Sequence, residues 1–187
     1  MIETPRLRLI PCTTAHFEAM LDDERRLASL LHVTLEDNWL DFPEARAAMP
    51  SSYQYLKAHP SALGWWTYLF VHLADERLVG VGGFKGEADD DGGRVEIGYS
   101  FAPSYRRRGL ATEAARGMLA YAFSHPHVKR VEARTLPAHN ASTHVLKKIG
   151  MSFVETLQDL DDGYVWRWSI RREEYEATPP RIHTSIG

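Results

Sequence analysis

Cysteine is nearly absent: Cys12 is the only one in 187 residues. No intrachain disulfide can form, which sets aside disulfide-stapled secreted scaffolds and leads us to expect a cytoplasmic setting. No charged-then-apolar leader and no apolar run long enough to span a bilayer is present, so no membrane association is expected. An excess of one charge is missing too. The 22 Lys and Arg against 25 Asp and Glu leave a net charge of −3, which gives bulk electrostatics no footing for nucleic acid. Metal-ligand spacing is lacking as well. His125, His127, His139 and His144 have no matching carboxylates or thiols, and the aspartates of the acidic stretch Glu87 to Gly93 match no defined cation loop, so no metal is expected. No internal repeat or low-complexity tract occurs.

What is present is ordinary globular material, 44% hydrophobic and 25% charged, enough for one core without staples. Residues 1–176 are expected to form a single domain, and residues 177–187, with Pro179-Pro180, a flexible tail. The stretch from Arg94 to Ser124 organises the rest. Val95, Ile97, Tyr99 and Phe101 alternate with Glu96, Gly98 and Ser100 as in a strand, while Ala111, Ala115, Met118, Leu119, Ala122 and Phe123 recur at helical spacing. Between them lies Arg106-Arg107-Arg108-Gly109-Leu110-Ala111, a basic loop opening a helix. Backbone N–H groups without intrahelical partners, the positive dipole end and the added arginines suit a pyrophosphate.

The flanking chain reads as follows. Arg6 to Ile10 alternates and stops at Pro11, as in an edge strand. Thr13 or Thr14 caps a helix with Phe17, Met20 and Leu21 on its apolar side. Asp22 to Pro60 is irregular and helical in short pieces, either plain packing or a lid over the site. Trp65 to Leu73 suits a strand buried on both faces, and Leu78 to Phe84 a returning strand whose Gly80, Gly82 and Gly83 mark a bulge or close backbone approach. After the central stretch come a strand over Val128 to Thr135 and a helix capped by Asn140 or Ser142 and ended by Gly150. A hairpin of Ser152 to Thr156 with Tyr164 to Ile170 turns at Asp161-Asp162-Gly163, and Tyr164, Trp166, Trp168 and Ile170 face the core. Trp65 and Trp66 are assigned to the core, with an acceptor pocket as the other role. These elements form a mixed α+β domain.

Three phosphate signatures compete for the loop. A Walker-type loop needs lysine and then Ser or Thr after its second glycine, where Leu110 and Ala111 stand; a dinucleotide fingerprint needs three glycines, and only Gly109 is present. The pattern Arg/Gln-x-x-Gly-x-Gly/Ala is satisfied by Arg106, Gly109 and Ala111.

With Glu96-Ile97-Gly98-Tyr99 before that pattern, Thr112-Glu113-Ala114 completing it, Asn140-Ala141-Ser142-Thr143 following, and the opening Thr4-Pro5-Arg6-Leu7, the chain resembles the GCN5-related N-acetyltransferases (GNAT). Within them it is similar to the branch of Rim-type ribosomal-protein N-terminal acetyltransferases. The resemblance implies a mixed, mostly antiparallel sheet of about seven strands with helices on both faces. It also implies acetyl-CoA as donor and a primary amine, either a protein N-terminus or a small molecule, as acceptor in a ternary complex. Phe101 would lie beside the pantetheine arm, Arg106, Arg107, Arg108, Gly109, Leu110, Ala111 and Thr112 would hold the pyrophosphate, and Asn140 would join the cofactor site. A carboxylate can take the amine proton, and Glu96 is the candidate base, its other role being an ion-paired strand residue. The fourth-helix tyrosine of many members has no counterpart near Val145 to Lys148. Ser142 takes the acid's place or merely caps the helix. Backbone N–H groups near Tyr99 to Phe101 would polarise the thioester carbonyl if the strand bulges there. Cys12 stands near no base, which argues against an acyl-cysteine route. A homodimer is compatible with all of this, and a coenzyme-A-binding sensor without turnover is the alternative reading.

Overall fold

The computed structural model describes residues 1–89, 92–159 and 163–177, with the side chain of Glu44 excepted. Asp90 and Asp91 of the acidic stretch, Asp161 and Asp162 of the hairpin turn, and the expected tail beyond Ala177 lie outside the described residues.

The N-terminal half builds one side of the molecule. Strands β1 (Ile2–Glu3) and β2 (Leu7–Pro11) lead into helices α1 (Thr14–Asp22) and α2 (Glu24–Leu31). Strand β3 (Thr34–Leu35) is followed by α3 (Pro43–Ala47) and α4 (Met49–Ala58), and β4 (Thr67–His72) and β5 (Arg77–Phe84) come next. The second half runs β6 (Arg94–Phe101), α5 (Leu110–Phe123), β7 (Arg130–Thr135), α6 (Ala141–Lys148), β8 (Ser152–Asp159), β9 (Gly163–Arg171) and α7 (Arg172–Ala177). Among the described residues the nine strands form one sheet in the order β1-β2-β4-β5-β6-β7-β9-β8, with β3 beside β5. Only the β3–β5 and β6–β7 pairs are parallel. The sheet is thus mixed and mostly antiparallel, with two more strands than expected. The additions, β1 and β3, have two residues each and too little pattern to read. Because β1 lies outside it, β2 is not the edge, and Pro11 sits opposite Tyr68.

Alternation along β4 explains the two layers. Tyr68 and Phe70 point to one face, where they join Ile97, Phe101, Met118, Leu119, Leu146 and Trp168 beneath α5 and α6. Leu69 and Val71 point to the other, where Val81, Phe17, Leu27, Trp39 and Leu56 pack under the N-terminal helices. All four are at most 2% exposed, as a strand covered on both sides requires. Helix α1 starts where Thr13 and His16 close a capping box; Phe17 is buried and Met20 packs against the core as expected, while Leu21 is 49% exposed and Ala19 is buried in its stead.

Glycines in β5 allow close approach. A Cβ on Gly82 would run into the Gly98 carbonyl and the Phe70 ring, and one on Gly80 into the Ser100 carbonyl. The bulge lies in the β4–β5 pairing, between Phe70 and Val71. Tyr164, Trp166, Trp168 and Ile170 alternate along β9 as expected, but only Trp168 and Ile170 are buried, with Tyr164 63% exposed. The six residues of α7, which the sequence pattern did not suggest, are held by Arg172, whose guanidinium donates to the carbonyls of Phe123, His125 and Val128. No helix among the described residues is long and apolar enough to cross a membrane.

Candidate active site

The site begins with an edge left unpaired inside the sheet. Pairing of β6 with β7 covers Arg94–Arg130, Val95–Val131 and Glu96–Glu132 and stops there. Against β5 the register of β6 continues unbroken to Phe101. The Lys85 N–H donates to the Glu96 carbonyl and the Ala102 N–H to the Val79 carbonyl. By the alternation of an antiparallel ladder, even-numbered residues of β6 bond to β5, and Ile97, Tyr99 and Phe101 turn their backbone groups toward the gap. Strand β6 carries no bulge against β5. Divergence of two parallel strands, not a bulge, frees the Tyr99 and Phe101 N–H groups. This opening could not be read from β6 alone, because β7 creates it.

Beyond Phe101 the chain makes one turn of 3-10 helix, Pro103–Tyr105, and enters the basic loop. Arg107 and Gly109 both adopt positive φ, 59° and 80°. Such alternation of hand gathers successive N–H groups into a concave anion nest. Gly109 is the N-cap of α5 and contributes no side-chain cap, so the first N–H groups of the helix stay available. At φ 80° glycine is unstrained, where most L-residues would be strained.

The three arginines divide their roles. Arg106 is exposed but tied to the protein: its Nε donates to the Phe101 carbonyl at 2.8 Å and Nη2 reaches Asp41 at 2.7 Å. Its charge is matched within the protein, so Arg106 braces the loop. Arg107 and Arg108 are exposed, Arg108 with its guanidinium 4.8 Å from the Tyr105 ring centre. The side chains of Phe101 and Leu110 are buried in the core, Phe101 against Phe70, which leaves only their backbone to a ligand; Ala111 and Thr112 are half-buried.

On the far rim of the gap stands α6. Asn140 is its N-cap: its Oδ1 accepts from the Thr143 N–H at 3.1 Å, and Thr143 Oγ1 accepts from the Asn140 N–H at 3.0 Å. Ser142 therefore does not cap the helix. Its hydroxyl donates instead to Tyr99 Oη at 3.3 Å. Tyr99, on the α5–α6 face of β6, is the residue whose hydroxyl sequence reasoning gave no role. Its pKa is pushed up to about 12 by burial, against which the Ser142 hydrogen bond pulls down. At neutral pH it keeps its proton. Because Ser142 donates to the phenol oxygen, the phenol's own hydrogen is left to be given elsewhere. The signal available beforehand was the missing tyrosine in α6: a hydroxyl at the same gap had to come from another element.

The opposite face of β6 carries Glu96, Gly98 and Ser100. Glu96 is bonded on both sides, to Lys85 Nζ at 2.5 Å and Arg134 Nε at 3.1 Å, with Arg134 continuing to Asp159. It stands on the last paired rung, where the gap opens. Beside it Gly98 lies opposite Gly83, and a Cβ on Gly98 would meet nothing within 4 Å, so bare backbone floors a hollow there. Trp65 is core, 7% exposed among Phe84, Tyr121 and His125, while Trp66 is half-buried and stacked on Tyr55 at 4.2 Å. Cys12 is buried and burial pushes its thiol pKa far up, so it is no nucleophile. The described residues hold no cluster of three or more His, Cys, Asp or Glu suited to a metal.

The domain that carries this loop and gap is matched in known proteins. The family model described as an acetyltransferase (GNAT) domain covers residues 6–152. The chain belongs to the GNAT acetyltransferase family. Members of this family use acetyl-CoA, and the GNAT chain is accordingly an acyltransferase. An uncharacterized N-acetyltransferase, YjdG, from Bacillus subtilis is 29% identical over 152 residues, 80% of this GNAT chain and 88% of that protein. A spermidine N-acetyltransferase SpeG chimera of Vibrio cholerae and hSSAT superposes with a TM-score of 0.68 at 13% identity over 92% of this chain and 99% of that one. RimL, a ribosomal alpha-N-protein acetyltransferase in complex with coenzyme A, superposes at 0.61 with 15% identity over 90% of this chain and 95% of that one. At such identities the likeness is one of fold.

Proposed function

We propose that residues 1–176 form one N-acetyltransferase domain that moves an acetyl group from acetyl-CoA to a primary amine by direct attack in a ternary complex. The observation that carries this reading is the gap itself. Open backbone N–H groups of Tyr99 and Phe101, the loop Arg106 to Thr112 with Asn140 beside α6, and the Tyr99–Ser142 hydroxyl pair all converge on it from one face. Acetyl-CoA, when bound, supplies the acetyl thioester.

The chain's own residues then have separate tasks. The N–H groups of Gly109, Leu110, Ala111 and Thr112 hold the pyrophosphate, with Arg107 and Arg108 adding charge. The N–H groups along the β6 edge polarise the carbonyl. An amine has a reference pKa of about 8 at a chain terminus and about 10.4 on lysine, so it must lose a proton to attack. Glu96 takes that proton through water from the Gly98 side. On the other face the Tyr99 phenol gives its proton to the departing thiolate, assisted by the Ser142 hydroxyl. Alternation along one strand thus sets the base and the acid on opposite faces of the sheet, with the reacting bond passing between them.

The acceptor is a protein N-terminus or a small amine, consistent with relatives named for ribosomal protein and for spermidine. A second reading, a coenzyme-A-binding sensor, draws on one observation: Glu96 is held in two ion pairs. Thiol release from acetyl-CoA over a panel of peptides, polyamines and amino acids decides between them. Amine-dependent release that falls in Glu96→Gln supports the transferase. Coenzyme binding with no release on any amine supports the sensor.

A further inference from the structure

The opening Thr4-Pro5-Arg6-Leu7 is one of the sequence's signatures, yet it takes no part in the site as described. In the fold it reaches the first turn of α5. Thr4 Oγ1 and the Arg6 backbone N–H both donate to Glu113 Oε1 at 2.7 Å. The Arg6 guanidinium meets Glu113 Oε2 through Nε and Nη2, each at 2.7 Å. Its remaining arm, Nη1, donates to the Arg108 carbonyl at 2.9 Å. Glu113 in turn donates its backbone N–H to the Gly109 carbonyl at 3.1 Å. Residues more than a hundred positions apart are thereby locked onto the loop.

We infer that Arg6, braced by Thr4 and Glu113, is a positioning residue that fixes the loop peptide planes for the coenzyme pyrophosphate; this rests on the coenzyme reading above. A trans peptide directs its carbonyl and N–H to opposite sides. With the Arg108 carbonyl drawn to Arg6, the Gly109 N–H must point away from Arg6, into the nest formed by the positive φ angles of Arg107 and Gly109. Charge supplies a second reason. Glu113 is a carboxylate in the first turn of the very helix that would receive a pyrophosphate. Unmatched, it would repel that anion; the Arg6 guanidinium neutralises it while keeping its favourable place at the helix N-terminus. Arginine is required over lysine, because only a planar fork serves the carboxylate and the carbonyl together.

The test compares donors with and without the pyrophosphate. For Arg6→Gln, the KM for acetyl-CoA rises roughly tenfold while kcat at saturation holds. With acetyl-pantetheine, which lacks the phosphates, kcat/KM is unchanged from the parent protein. Arg6→Lys, which restores charge but not the fork, recovers part of the loss. Should Arg6→Gln not fold, as its melting curve reports, Glu113→Gln is read in the same assay. That variant keeps an acceptor for Thr4 and removes the charge, and it too shifts KM for acetyl-CoA alone. Equal losses with both donors, or an unmoved KM for acetyl-CoA, overturn the inference. A parent protein that turns over neither donor overturns the coenzyme reading beneath it.

Discussion

The two faces of β6 are built differently. On the α5–α6 face nearly every group around the proposed coenzyme site is fixed from behind. Arg106 is bonded to Phe101 and Asp41, Asn140 to Thr143, Ser142 to Tyr99, and Arg6 to Glu113 and Arg108. On the opposite face the wall beside Glu96 is the bare backbone of Gly98, rimmed by the long side chains of Lys85 and Arg134. One side is shaped in advance by short bonds. The other is hollow and edged by cations that are paired with Glu96. The contrast suits a site that always takes the same donor but leaves the acceptor to be chosen by few contacts, because preorganised groups lower the cost of binding one particular ligand.

That difference can be broken from either side. The largest effect is expected for Gly109→Asp, which places a branched anionic residue at φ 80° beside the proposed pyrophosphate. Coenzyme A affinity should fall by a factor on the order of a thousand in calorimetry, from strain and charge together. Next, Tyr99→Phe removes the proton donor while leaving the ring packed; kcat should drop about a hundredfold with coenzyme affinity retained. Gly98→Val fills the hollow from a position where a Cβ meets nothing within 4 Å. It should raise the acceptor KM roughly tenfold and leave coenzyme A binding as it was. Ser142→Ala should lower kcat by a factor of only a few, the worth of one neutral hydrogen bond.

The smallest effect is a pH response in the segment that leads to Asp41. Glu36 accepts from Ser104 at 2.8 Å and from Arg77 at 2.6 Å, which holds its carboxyl below the usual carboxylate range. A depressed folded-state pKa means that this contribution is fully present above the ordinary value of 4.5 and is lost as pH falls through the lowered one. Hydrogen-exchange protection near Trp39, taken relative to the intrinsic rate at each pH, should therefore fall on acidification in the parent protein and show no such step in Glu36→Gln.

Legibility in the sequence follows the same division. Strand β6, the loop and α5 form one contiguous stretch, and their alternation, basic run and helical spacing are local properties. Arg106, Gly109 and Ala111 could thus be read together with the strand before them and the helix after. Tyr99 could not be given its role in this way. Its alternation assigns it to one face of the strand, and only the first turn of α6, some forty residues later, turns that hydroxyl into half of a pair. The gap beside it was equally hidden, since it arises where β7 departs from β6 after Glu132. Ser142 and Asn140 were both plausible caps by residue type. The capping box with Thr143 settles the matter in favour of Asn140, which depends on backbone geometry that residue type does not encode. Two-residue strands such as β3 exist only because a neighbour supplies their partner.

The central claim is that one strand separates a rigid coenzyme face from an open acceptor face. Calorimetric titration of coenzyme A into folded Gly98→Val and Gly109→Asp proteins, side by side with the parent, tests it most directly. The account predicts that Gly98→Val binds as the parent does and that Gly109→Asp does not bind measurably. Parent-like binding by Gly109→Asp, or loss of binding in both variants, would contradict it.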